Sequence, residues 1–167
     1  DRIFTPDGSL SYSPPNNGVQ AINPAYPHPV WIPEYFGNIP VVNGKAYPFL
    51  NVQPRRYRFR IINGSNARFY NVWFDVNNAP KPFHQIGTDQ GLLPAPAPLT
   101  KLLIGPGERA DIIVDFAGLP TSTTILLKNN AKAPFPGGMG GDIPALMQFR
   151  VNQPLAGTDT TTPAANL

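Results

Sequence analysis

His28, in "YPHPVW", and His84, in "PFHQIG", are the only two histidines in this chain, and it has no cysteine. A transition-metal site normally collects three or four nitrogen or sulfur ligands, so a third ligand here would have to be a carboxylate, an amide or a methionine. The two histidines stand isolated from each other in the sequence, and each reads as structural rather than ligating. Serine, histidine and aspartate are all present, but no G-x-S-x-G nucleophile elbow is, and "NGSNA" reads as a turn between two strands. "GPGERAD" lacks the Gly-Lys-Ser/Thr ending that cradles phosphate, so it reads as a turn feeding a strand. Asp89, Glu108, Arg109 and Asp111 are candidates for a polar cluster joining loops, with structural ion pairing rather than acid/base catalysis as the expected role. Asn63-Gly64-Ser65 matches a glycosylation sequon, which has meaning only in a eukaryotic secretory host.

Five arginines, Arg55, Arg56, Arg58, Arg60 and Arg68, cluster in the middle of the chain. A nucleic-acid platform would put cations and aromatics on one surface. In "YRFRII" they alternate instead, so the arginines form the wet face of a sheet or pair with carboxylates across it. A formal charge of +3, from 13 Lys and Arg against 10 Asp and Glu, agrees with that reading.

These side chains need elements to hold them, and the elements read as β-strands. Tyr57, Phe59 and Ile61 alternate with Arg58 and Arg60, and Tyr70, Val72, Phe74 and Val76 alternate in "FYNVWFDV". Ala110, Ile112, Val114 and Phe116 share one face, as do Met147, Phe149 and Val151. A period of two is the signature of a half-buried strand. "NGK" is a hairpin cue between Ile39–Val42 and Ala46–Val52, because asparagine and glycine both tolerate positive φ. With "LTKLLI" and "TILLK", about eight or nine strands and no amphipathic helix give an all-β fold, a Greek-key barrel or sandwich.

Composition sets the remaining bounds. The 167 residues suit one domain, with 41% hydrophobic but only 14% charged residues, and 22 prolines and 15 glycines favour many turns. Residues 1–35 read as a proline-rich arm leading into the domain, 36–153 as the β domain and 154–167 as a linker tail. No apolar run is long enough to span a bilayer, no leader pattern opens the chain, and the start at Asp1 suggests a processed or excised segment.

Five stretches, "DRIFTPDGSL", "FGNIPVVNGKAYPFLNVQPRRYRFRIINGSNARFYNV", "QIGTDQGLLPAP", "LLIGPGERADIIVDF" and "ALMQFRV", together resemble one family. They are similar, in order, to the middle cupredoxin-like domain of three-domain multicopper oxidases, particularly spore-coat-type bacterial laccases and bilirubin-oxidase-like enzymes. The family's copper ligands, His-x-His pairs and a His-Cys-His segment, lie in its first and third domains and are absent here. The resemblance therefore implies a non-catalytic scaffold with no cofactor of its own, copper being held elsewhere in the parent enzyme. It implies the first and third cupredoxin domains as partners, and phenolic or similar reductants as substrates of the intact oxidase. It also implies one wall of the reductant pocket, made by Pro33, Glu34, Phe36, Ala67, Phe69, Gly138, Met139 and Gly140. A secreted, periplasmic or spore-coat setting would suit the resemblance, a lone copy is expected to self-associate, and neither nucleic acid nor a membrane is an expected partner. The rival expectation is a stand-alone binding module for carbohydrate or protein, using Trp31, Tyr35, Phe36 and Trp73 as a contact patch.

Overall fold

The computed structural model describes residues 1–4, 6–11, 34–139 and 142–162. In chain order the strands are β1 (Ile3–Phe4), β2 (Leu10–Ser11), β3 (Val41–Val42), β4 (Lys45–Ala46), β5 (Phe49–Val52), β6 (Arg56–Ile62) and β7 (Tyr70–Val76). They continue as β8 (Ala79–Lys81), β9 (Phe83–Thr88), β10 (Gly91–Leu99), β11 (Leu102–Ile104), β12 (Arg109–Asp115), β13 (Thr124–Asn129) and β14 (Ala145–Val151). One sheet has the order β10-β9-β12-β6 and the other β11-β7-β13-β14-β5, with β8 added to β7. No helix among the described residues is long and apolar enough to cross a membrane.

The alternating segments form the two inner faces. β6 and β12 pair antiparallel from Arg109↔Ile62 to Asp115↔Arg56, which sets Ile112 opposite Phe59 and Val114 opposite Tyr57. Tyr70, Val72 and Phe74 of β7 are buried against Ile125, Leu127 and Phe149 of the same sheet, and one core joins both sheets. Face-to-face packing of inward residues is what a β-sandwich requires. At its centre Phe74 lies 5.5 Å from Phe83, 5.6 Å from Phe149 and 6.3 Å from Phe116, centroid to centroid.

Three expectations need correction. The Asn43-Gly44 turn is present, with φ of 49° and 80°, but its hairpin ends at Ala46 rather than running to Val52. Tyr47 adopts a φ of 44° and Pro48 has no N–H to donate, so β5 leaves the hairpin and pairs parallel with β14. The structure has more strands than eight or nine because several span only two or three residues and because β10 carries Pro94, Pro96 and Pro98. Prolines are tolerated in β10 because it is an edge strand whose register with β9 shifts between Leu92 and Ala97. Arg68, expected on the wet face with the other arginines, is instead fully buried.

Arg58 and Arg60 do face solvent, while Tyr57, Phe59 and Ile61 pack on the core. Arg56 pairs with Asp115 at 2.9 Å, and Arg58 donates from Nε to both Asp111 oxygens at 2.9 and 3.1 Å. Residues 159–161 lie against the start of β6, where Arg56 Nη1 donates to the Thr161 carbonyl at 2.9 Å and Arg55 pairs with Asp159 at 3.5 Å.

The hydrogen bond from Arg58 holds the Asp111 carboxyl below its usual pKa, while desolvation pulls the other way. A carboxyl depressed in the folded state stabilises the fold above its unfolded pKa of about 3.9, and that contribution is lost as pH falls through the lower folded value. Asp111→Asn should therefore be less stable than the parent chain near neutral pH, with the two urea curves converging in acid. A gap that stays constant across the acid range would show that the ion pair is not its source.

Candidate functional site

The segment preceding the first hairpin meets the "NGSNARF" turn directly. Tyr35 N–H donates to Asn66 Oδ1 at 3.0 Å, and the Arg68 guanidinium carbon lies 5.5 Å over the Phe36 ring. Gly37 presses against the backbone of Asp1 and Arg2, where any Cβ would collide with the Arg2 nitrogen. Only glycine lets these two backbones approach so closely.

Arg68 is the centre of this junction. Its Nε donates to Asp1 Oδ2 at 2.9 Å and its Nη2 to the Gly37 carbonyl at 2.7 Å, while Gly37 N–H donates to the same Asp1 oxygen at 2.6 Å. Asp1 Oδ1 is buried and has no hydrogen-bond partner among the described residues. Burial lowers the Arg68 pKa, opposed by Tyr70 and by Asp142 at the far end of the glycine-rich loop.

Two buried asparagines pin the surrounding loops. Asn63 Nδ2 donates to the carbonyls of Arg68 at 2.7 Å and Ile104 at 3.1 Å, and its Oδ1 accepts from Ser65 N–H. Asn129 Oδ1 accepts from Asn71 and Ala131 N–H groups, and its Nδ2 donates to the Ile143 carbonyl at 3.0 Å. A buried amide using both ends in this way satisfies several loop backbone groups at once. It also leaves the sequon nitrogen inaccessible to a glycan. Expressed in a glycosylating host, the chain should show an intact mass unchanged by glycosidase, and a glycan on Asn63 would mean that this turn opens before modification.

Phe69 follows Arg68 and points elsewhere. Its ring stacks on Phe135 at 4.8 Å with planes 19° apart, and it lies so close to Gly105 that a Cβ there would come within 2.9 Å of the Phe69 ring. Gly138 is packed on Ala133 and Pro134, with its N–H donating to the Pro134 carbonyl at 2.7 Å. Met139 beyond it is fully exposed. Glu34 is exposed, whereas Phe36, Ala67 and Phe69 are half-buried. Contacts link Phe36 to Arg68 and Phe69 to Phe135, and Pro33 and Gly140 lie outside the described residues.

The other sequence candidates are dispersed. His84 sits on β9 with Pro98 and Ile113 as its strand partners, and among the described residues no hydrogen bond joins it to a serine or a carboxylate. His28 and Trp31 lie outside the described residues. Tyr35 is buried, which removes it from an exposed aromatic platform, and Trp73 is half-buried beneath the Lys101 ammonium at 4.5 Å. Arg109 pairs with Asp89 at 2.9 Å beside a depression of about 190 Å³ lined by Gln85, Thr88, Leu103 and Glu108. Asp111 turns instead to Arg58 and Glu108 Oε2 accepts from Gly105 N–H, so of these four residues only Asp89 and Arg109 pair with each other.

Among the described residues no group of three histidines, cysteines or carboxylates could hold a metal ion. The sequence itself lacks the cysteine thiolate and the several histidines that a blue-copper centre and a trinuclear copper cluster need. The residues present therefore do not fit copper. The sequence shows neither Asn129 nor Phe135 as part of this junction, and it shows Arg68 and Asn63 only in other roles, because the contacts of all four depend on partners between about five and 67 positions away.

No family model matches the chain. A laccase from Bacillus subtilis (strain 168) is 43% identical over 165 residues, a match that takes in 95% of this chain and 29% of the laccase. Multicopper oxidase LPR1 of Arabidopsis thaliana is 42% identical over 154 residues, which is 91% of this chain and 25% of that protein. The multicopper oxidase McoA of the hyperthermophile Aquifex aeolicus superposes with a TM-score of 0.76 at 30% identity, over 99% of this chain and 32% of McoA. The chain spans between a quarter and a third of the length of these relatives.

Proposed function

Because this chain belongs to the multicopper oxidase family, we propose that it is the middle domain of a three-domain oxidase, without catalysis of its own. In this reading residues 36–153 are a scaffold between two copper-bearing domains, residues 1–35 an arm leading into it, and residues 154–167 the link to the third domain. One end of the scaffold, around Glu34, Phe36, Ala67, Phe69, Gly138 and Met139, is part of the wall of the pocket in which a phenolic or similar reductant gives up electrons. Pro33 and Gly140 belong to the same proposed wall. The intact enzyme would reduce dioxygen to water at copper held by the other domains.

The observation that carries this reading is the mismatch between family and ligands. The match to copper oxidases takes in nearly the whole chain, yet the chain has two histidines and no cysteine with which to bind the metal. A domain with the family's fold and none of its ligands supports the others rather than replacing them. Large apolar side chains left exposed, among them Tyr47, Phe49, Ile62, Leu92 and Leu103, are surface that neighbouring domains would cover.

The test is elemental analysis of the purified chain after loading with copper and desalting, with an oxidase assay on the same sample. No retained copper and no oxidation are expected. Stoichiometric copper together with activity would overturn the reading and make His28, His84 and Met139 the first residues to substitute. Sedimentation over a wide concentration range should show self-association through the uncovered surface, and a clean monomer throughout would count against that part.

A further inference from the structure

Arg68 is not among the wall residues that the family resemblance implies, yet it stands between Ala67 and Phe69 in the chain and packs on Phe36, three of the proposed wall residues. We propose that the buried Asp1–Arg68 pair is the positioning element of the reductant-pocket wall, and that it acts by fixing which way Ala67 and Phe69 face and where Phe36 sits. The inference rests on the wall reading given above, and its test must separate the two.

Both ends of Arg68 are held. The guanidinium is committed to Asp1 Oδ2, the Gly37 carbonyl and the face of Phe36, and the Arg68 carbonyl accepts from Asn63 Nδ2. Arg68 and Phe69 lie between the bend at residues 66–67 and the start of β7 at Tyr70. The Arg68 side chain is wholly shielded from solvent among Asp1, Gly37 and Phe36, whereas Phe69 is half-buried and stacks on Phe135, so the two neighbours meet different partners. Phe69 then reaches Phe135, so the orientation set at Arg68 is passed to the loop that carries Gly138 and Met139.

Stability alone does not account for the arrangement. Apolar side chains of similar volume often stabilise a core as well as a buried ion pair does, and here one carboxylate oxygen has no partner among the described residues. What the pair adds is direction: a planar fork that accepts only one placement of Asp1, Gly37 and Phe36 around it. Small displacements of substrate-positioning groups are costly to kcat/KM, so a pocket wall gains from such a fixture.

The experiment uses the full-length oxidase encoded with this chain, and compares Asp1→Asn, Arg68→Lys and Arg68→Met with the wall variant Phe69→Ala. The readouts are KM and kcat for 2,6-dimethoxyphenol, KM for dioxygen, and copper content. Arg68→Met and Asp1→Asn should raise the phenol KM about tenfold with kcat, the dioxygen KM and copper content near those of the parent, and Arg68→Lys should recover part of the loss. A raised phenol KM in Phe69→Ala with none in Asp1→Asn or Arg68→Lys would leave the wall standing and overturn the positioning role. An unchanged phenol KM in Phe69→Ala would overturn the wall reading, and the positioning role with it. Arg68→Lys keeps the charge and most of the volume, so the test survives if Arg68→Met does not fold.

Discussion

Phe74→Ala should lower the unfolding free energy of the chain by about 3–5 kcal/mol, the usual cost of removing a buried aromatic ring. Phe74 is 1% exposed, and Phe59, Phe83, Phe116 and Phe149 all have ring centroids within 6.5 Å of its own. These neighbours come from β6, β9, β14 and the residue following β12, so the vacated space is bordered by both sheets. Closing it would require two hydrogen-bonded sheets to move together, which packed interiors resist. Against a typical total stability of about 5–15 kcal/mol the loss is a large share. Urea denaturation followed by near-ultraviolet circular dichroism measures it, with Leu92→Ala at an exposed edge position as the control. A cost under about 1 kcal/mol for Phe74→Ala would mean that the aromatic cluster is loosely packed.

Phe74 can be placed in the core from sequence because it belongs to an alternating run, and the same holds for Ile112, Val114 and Phe149. Period-two alternation reports a local property, the side of the strand on which a residue lies, and the fold class comes from repeating it. β10 escapes such a reading because its prolines argue against a strand unless its edge position is known, and edge position is a property of the whole sheet. β5 reads locally as part of a hairpin because "NGK" is a strong cue, whereas its partner β14 lies nearly 100 residues away. The proposed wall shows the same division. Phe36 and Phe69 can be named from motifs, and Arg68, unlike Arg58 and Arg60, shares the parity of the apolar face of its run, Tyr70, Val72 and Phe74, but no neighbouring residue shows what receives its charge. Arg68 is buried because Asp1 and the Gly37 carbonyl receive it, and both are remote in sequence.

That dependence leads to a second large effect. Arg68→Met should cost about 3–5 kcal/mol, because it leaves the Asp1 carboxylate buried without its counter-charge. Adding Asp1→Asn should recover a substantial part of the loss. The asparagine carbonyl can still accept from Gly37 N–H, its amide can donate to the Gly37 carbonyl that Arg68 served, and no side-chain charge remains to be desolvated. The double variant should therefore be more stable than Arg68→Met alone, a strong coupling of the kind expected only for residues in direct contact. Thermal and urea unfolding of the two single variants and the double variant complete the cycle. If the two losses simply add, the carboxylate is not the source of the penalty, and Arg68 would stabilise the junction through its packing on Phe36 instead.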